Sequence, residues 1–295
     1  MAVTARTAGP IISRELSLVS VRTVDGVLLH GSRTTVPGAR VGVLGIHGAW
    51  GNFYANPTVG VLDAAAAQGL STAALNARSH DLGSIGDGEP CHGFMRMRFE
   101  DCVHDFDAAA DVLRDVGVDA IVVVAHSYGS HMANYWLHEH RPDDVIGLAM
   151  LSPSPLLSGG ARWFVEGSVE HHLARAAAAV AEGDPERLIV LSSHAPVPMV
   201  VEAATALSVW GPESLAHSER YVPHLDLPML VLVGAREPSA YRQRAASVAD
   251  AAGTPRRELD DDHYFANDPD GLARTVLDWM HAHGLTGAET TGGQP

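Results

Sequence analysis

The chain has 295 residues, 46% of them hydrophobic and 19% charged, a balance that suits a globular protein with a substantial core and excludes a largely disordered one. Its formal net charge is −15 and it contains no lysine; such a surface repels phosphate backbones and anionic headgroups, so neither nucleic acid nor membrane partners are expected. The two cysteines, Cys91 and Cys102, lack CxxC spacing and make no disulfide framework, so they read as free thiols in a reducing cytoplasm.

The N-terminus has no basic start followed by a continuous apolar segment, so no signal peptide is expected. No apolar run approaches the roughly 18–20 residues of a membrane span. Residues 1–10 and 286–295 are small, polar and aperiodic and read as frayed ends. "LSLVSVRTVDGVLLHGSRT" alternates around Asp25-Gly26 and predicts a β-hairpin. "RVGVLGIHG" is a near-continuous apolar run, as a strand covered on both faces would be. A helix over "NPTVGVLDAAAAQG" and a strand over "STAALNAR" follow. "RFEDCVHDFDAAADVLRDVG" puts Phe106, Ala110 and Leu113 on one helical face and stops at Gly117. "DAIVVVAHS" is a strand, "SHMANYWLHEH" a helix and "VIGLAMLSP" a strand.

The pattern then changes. Residues 154–226 read as mostly helical, with "SVEHHLARAAAAVAEG" and "PMVVEAATALSVWG" the clearest pieces. Strand returns at "LPMLVLVGA" and, weakly, at "TPRRELDD". "DGLARTVLDWMHAHG" closes the chain as an amphipathic helix. The alternation implies an α/β fold with a mainly parallel sheet and helices on both faces, formed by residues 1–153 and 227–295. The helical block interrupts it after a strand end, where ligands sit in such sheets, and reads as a lid.

The chemistry collects at strand ends. In "AHSYGS", Ser127 stands between Ala125 and Gly129. A strand-to-helix turn that holds a serine in a strained conformation needs small residues two positions either side, which makes Ser127 a candidate nucleophile. The competing reading is a serine that merely caps the following helix. A serine hydroxyl needs a base, and of 17 histidines His263, in "ELDDDHYFAND", lies where that base belongs. An imidazole needs an orienting carboxylate. Glu237, three residues past Gly234, fits, with Asp260, Asp261 and Asp262 as competitors too near His263 in sequence to face its ring. Oxyanion donors are expected from the N–H groups of Tyr128 and of Ala49, in "GIHGAW".

Trp50 and His126 flank these positions and are expected to contact substrate. Trp163, Phe164, Val200, Val201 and Trp210 are offered by the lid as apolar walls, so the substrate is a partly apolar small molecule. Arg78, His80 and Asp81 would form either a polar substrate contact or a structural ion pair. The pairs His138/His140 and His171/His172 lack accompanying acidic or cysteine ligands and read as surface residues, not a metal site.

Four features therefore occur in one order, each after a predicted strand: oxyanion loop, serine, acid, histidine. With them the chain resembles the α/β-hydrolase superfamily over nearly its whole length. More narrowly, "GNFYANP", "LNARSHDLGS", "FEDCVHDFDAA" and "AHSYGS" look like a group of bacterial and fungal α/β hydrolases that includes esterases of hydroxamate siderophores, with Ser79 replacing that group's glycine. The superfamily resemblance implies attack by Ser127, with His263 as base, Glu237 as its orienting acid, and Ala49 and Tyr128 as oxyanion donors. It implies no metal or cofactor. An ester, lactone or thioester is the expected bond. Acyl transfer, cyclisation or C–C cleavage would use the same residues. A binding protein on the same fold is the remaining alternative, and the oligomeric state is left open.

Overall fold

The computed structural model describes residues 16–83, 92–155, 165–192 and 199–287. Most of the expected frayed ends, Cys91, Trp163 and Phe164 lie outside the described residues.

The alternating N-terminal stretch pairs as an antiparallel hairpin, β1 (Ser17–Arg22) with β2 (Leu28–Thr34), in register from Ser17 opposite Arg33 to Arg22 opposite Leu28. The turn falls at Asp25-Gly26, where Gly26 takes φ 96°, a conformation open to glycine. The apolar run becomes β3 (Val41–Ile46), buried at every residue. Then come α1 (Thr58–Ala67), β4 (Ser71–Leu75), α2 (Cys102–Arg114), β5 (Ala120–His126), α3 (Tyr128–His140) and β6 (Val145–Leu151).

The sheet has eight strands in the order β1-β2-β4-β3-β5-β6-β9-β10, with β9 (Met229–Gly234) and β10 (Arg256–Leu259) completing it. All pairings from β4 to β10 are parallel; β2 alone runs against them, since β1 pairs antiparallel with β2 and so points the same way as the rest. Strand alternation divides the core into two layers. Val122 and Val124 of β5 face a cluster with Val61 of α1 and Val276 and Met280 of α7 (Pro269–Ala282). Ile121, Val123 and Ala125 face the other, with Phe106, Leu113, Trp136 and Val248 from α2, α3 and α6 (Ser239–Ala252).

Between β6 and β9 the chain is less uniform than expected. α4 (Val169–Ala181) begins at Ser168, whose Oγ accepts the His171 N–H. It is followed by β7 (Leu188–Ser192) and β8 (Met199–Glu202), a separate antiparallel pair, and by α5 (Ala203–Trp210). "PMVVEAATALSVWG" is thus strand and then helix, changing at Glu202, whose extended backbone (φ −66°, ψ 152°) ends β8 and caps α5. Val201 is buried in the interior of this unit, so the expectation of a lid-helix wall at Val200 and Val201 is corrected to a strand. The helix α6 was not anticipated.

Two polar clusters hold this segment to the core. Asn134 Nδ2 donates to Ser218 Oγ (2.8 Å), and His131, also on α3, shares hydrogen bonds with Ser218 Oγ (2.6 Å) and the Ser154 carbonyl (2.7 Å). Buried Glu202 accepts from Arg96 (2.6 Å) and Arg98 (3.1 Å). Among the described residues no helix is long and apolar enough to cross a membrane.

Candidate active site

Because β3, β5, β6, β9 and β10 are adjacent and parallel, their carboxyl ends lie side by side. Register pairs Ile46 with Ala125, His126 with Leu151, Leu151 with Leu232, and Gly234 with Leu259. The residues just past those ends are brought together from across the chain.

Ser127 sits between β5 and α3 with φ 56° and ψ −121°. This is a strained conformation for a non-glycine residue, of a kind that costs roughly 1–3 kcal/mol and is kept at functional sites. Its side chain makes no capping bond to α3, which removes the simple helix-cap reading. Its N–H is held instead by the Leu151 carbonyl at 2.8 Å. Gly129 is required by space: a Cβ there would stand 2.4 Å from the His47 carbonyl oxygen. Gly48 is equally constrained, since its Cβ would stand 2.9 Å from that of Ser127.

The Ser127 hydroxyl lies 3.2 Å from His263 Nε2, and His263 Nδ1 lies 2.5 Å from Glu237 Oε1. A carboxylate only accepts, so Nδ1 carries the proton and Nε2 presents its lone pair to the hydroxyl. Glu237 is itself fixed: its Oε2 accepts from Ser152 Oγ (2.7 Å) and from the Gly234 N–H (2.9 Å). The competing aspartates face elsewhere. Asp260 pairs with Arg236. Asp261 accepts the N–H groups of Asp262, Asn267 and Asp268, and Asp262 accepts that of Tyr264. Both thereby shape the loop that carries His263.

Tyr128 opens α3, where first-turn N–H groups have no partner within the helix. Ala49 follows Gly48, whose backbone packs on Ser127. Trp50 has φ 42° and meets Phe94 edge-on, with ring centroids 5.1 Å apart. Trp210, at the end of α5, meets the same ring at 5.9 Å. Trp50 and Trp210 are therefore brought together through Phe94, a residue the sequence did not single out. His126 needs correction as a substrate contact. It is 3% exposed and its Nε2 donates to the His263 carbonyl at 2.9 Å, so the ring anchors the histidine loop. Burial, and the adjacent His263, hold it well below its ordinary pKa, hence neutral. Tyr241 of α6 also escaped the sequence reading. Its ring packs edge-on to His263 at 4.7 Å, and burial with Glu237 nearby pushes its hydroxyl up to about 12. Only its position, four residues past Glu237, could have signalled it.

Arg78 resolves as an ion pair. Its Nε donates to Asp105 (2.8 Å) and its NH1 and NH2 to Asp25 (2.7 and 3.0 Å), tying the first hairpin to the loop after β4. His80 pairs with Asp81 at 2.9 Å. Among the described residues no group of three or more His, Cys, Asp or Glu is arranged to hold a metal. His172 donates to the Glu166 carbonyl and His140 pairs with Asp107. Cys102 is buried, which raises its thiol pKa and leaves it inert.

No curated protein sequence matches the chain. Solved structures share its fold at low identity. Est1E from Butyrivibrio proteoclasticus, seen with ferulic acid bound, is 15% identical with a TM-score of 0.69, over 89% of this chain and 98% of its own. The Pyrococcus furiosus esterase Pf2001 is 15% identical with a TM-score of 0.62, over 94% and 96%. The esterase domain of a Rhodothermus marinus protein is 15% identical with a TM-score of 0.57, over 91% and 99%. At such identities the likeness is one of fold. The sequence itself matches the model of the alpha/beta hydrolase family over residues 27–275, and the chain belongs to that family of enzymes.

Proposed function

We propose that the protein is a serine hydrolase that cleaves an ester, lactone or thioester of a partly apolar small molecule through an acyl-enzyme on Ser127. The observation that carries this reading is the aligned relay from Ser127 Oγ to His263 Nε2 (3.2 Å) and from His263 Nδ1 to Glu237 Oε1 (2.5 Å). Its chemistry is acyl transfer in two steps. Ser127 Oγ attacks the carbonyl carbon and its proton passes to His263 Nε2. Glu237 stabilises the imidazolium, and the N–H groups of Ala49 and Tyr128 receive the oxyanion. Collapse expels the alcohol or thiol, which takes the proton from His263. Water, deprotonated by His263, then attacks the acyl carbonyl; its remaining oxygen leaves with the acid, and Ser127 regains its proton. The segment over residues 154–226 acts as a lid. The rings of Trp50 and Trp210 against Phe94 support an apolar acyl or leaving group.

The test is intact mass after incubation with a fluorophosphonate, which needs no knowledge of the substrate. One adduct is expected on the wild-type protein and none on Ser127→Ala or His263→Ala. An unlabelled wild-type protein, or an adduct that survives Ser127→Ala, would sink the reading. A panel of esters, lactones and thioesters with graded acyl length then finds the bond.

A further inference from the structure

We infer that the His47 ring is a positioning residue for the oxyanion loop: by pinning the Gly48 carbonyl it turns the Ala49 N–H toward Ser127. The inference rests on the reading of Ser127 as nucleophile. His47 is buried, 1% exposed. Both of its ring nitrogens are committed. Nδ1 lies 2.7 Å from the Gly48 carbonyl oxygen, which can only accept, so Nδ1 carries the hydrogen. Nε2 lies 3.1 Å from the Ala77 N–H, which can only donate, so Nε2 carries the lone pair. The two bonds require one neutral tautomer, and burial agrees, holding the ring down to about 4.

The consequence runs through one peptide plane. In a trans peptide the C=O and the N–H point in opposite directions. The Gly48 carbonyl is drawn toward the His47 ring and also accepts the Gly51 N–H at 3.1 Å, closing a turn with Trp50 at φ 42°. The Ala49 N–H, the other end of that plane, therefore faces away from the ring. Gly48 packs so close to Ser127 that a Cβ would stand 2.9 Å from the serine's own. The ring also braces this loop against β4's continuation at Ala77, so the donor is set before substrate arrives, as oxyanion stabilisation needs.

Two variants of similar size separate this role from simple packing. His47→Asn keeps an N–H near the Nδ1 position and loses the acceptor for Ala77. His47→Gln reaches the Nε2 position and loses the donor to Gly48. With an activated ester, kcat should fall at least tenfold in His47→Gln at little changed KM, and should be largely rescued in His47→Asn; outright loss of an oxyanion donor costs about 10²–10³ in kcat. Melting temperatures of both variants are read beside the rates. Equal kcat in both, or losses that follow melting temperature only, would overturn the inference. A wild-type protein without Ser127-dependent fluorophosphonate labelling would instead overturn the hydrolase reading, and this one with it.

Discussion

Glu237 has three hydrogen bonds on two oxygens, and their polarity decides what a single atom change does. Oε2 faces the Gly234 N–H and the Ser152 hydroxyl; Oε1 faces His263 Nδ1. In Glu237→Gln the amide oxygen must stay on the Gly234 side, because a backbone N–H can only donate. The amide NH2 then faces His263 and drives the ring to the tautomer with hydrogen on Nε2, which cannot take the serine's proton. We expect kcat to fall about 10⁴-fold, the effect of forcing the wrong tautomer in such a relay. Asp262→Asn, which keeps an acceptor for the Tyr264 N–H, should leave turnover within about threefold. Steady-state kinetics of the two proteins decide it. If Asp262→Asn abolishes turnover and Glu237→Gln does not, the acid is misassigned.

At the scale of elements, the segment between β6 and β9 is held by apolar packing and a few buried polar groups, of which Glu202 is the most direct to test. It is 4% exposed, sits where β8 becomes α5, and meets Arg96 and Arg98, which belong to the loop carrying Phe94. Glu202→Ala removes the buried carboxylate that two guanidiniums share, while Arg96 keeps Glu186 at 3.6 Å and Arg98 keeps Thr205 Oγ1 at 2.7 Å. Breaking a buried pair costs about 3–5 kcal/mol, and these arginines are partly solvated, so about 2 kcal/mol is expected. The loss should be local: limited proteolysis should cut residues 165–210 before the sheet, while the core's melting changes little. Uniform proteolysis of both would contradict this. The same segment shows where sequence reading stops. Most strands of the sheet were legible because each is a buried or alternating run bounded by its own glycine or loop; β10, RREL, is largely exposed and was legible only weakly. The meeting of Ser127, Glu237 and His263 beside the Gly48 loop was legible because each follows a strand of the sheet. β7 and β8 were not, because strands of five and four residues gain their identity from pairing with each other, and "MVVE" runs directly into a helix. α6 was hidden by its weak amphipathicity, with only Ala245, Val248 and Ala249 buried. His126 was misread for a related reason: its partner, the His263 carbonyl, is 137 residues away.

For the whole molecule, the buried histidines set a dependence of stability on pH. Burial holds His47 at about 4 and His131 at about 3, and keeps His126 well below its ordinary value. The unfolded chain takes up protons at these positions near pH 6.5, while the folded one does not until far lower. Between those values the unfolded state binds more protons, so acidification favours it. Their contribution is fully present above about pH 6.5 and is lost as the pH falls toward 4 and 3. At pH 5 the loss is about 2 kcal/mol each for His47 and His131, with His126 adding in the same direction. Asp105 opposes this: burial lifts it to about 6, against the pull of Arg78, so the fold gains roughly 1 kcal/mol there at pH 5. The carboxylates whose pKa values are lowered, Asp25, Asp260 and Asp261, lose their contributions only in stronger acid, below the ordinary carboxylate range. The net loss of about 3 kcal/mol is a large part of a typical total of 5–15 kcal/mol. The melting temperature should therefore drop by at least about 5 °C from pH 7 to pH 5 at constant ionic strength. His131→Gln, which keeps a donor for the Ser154 carbonyl without a titrating ring, should flatten that slope. A melting temperature that stays level between pH 7 and pH 5 would mean that these rings are not held neutral by the fold.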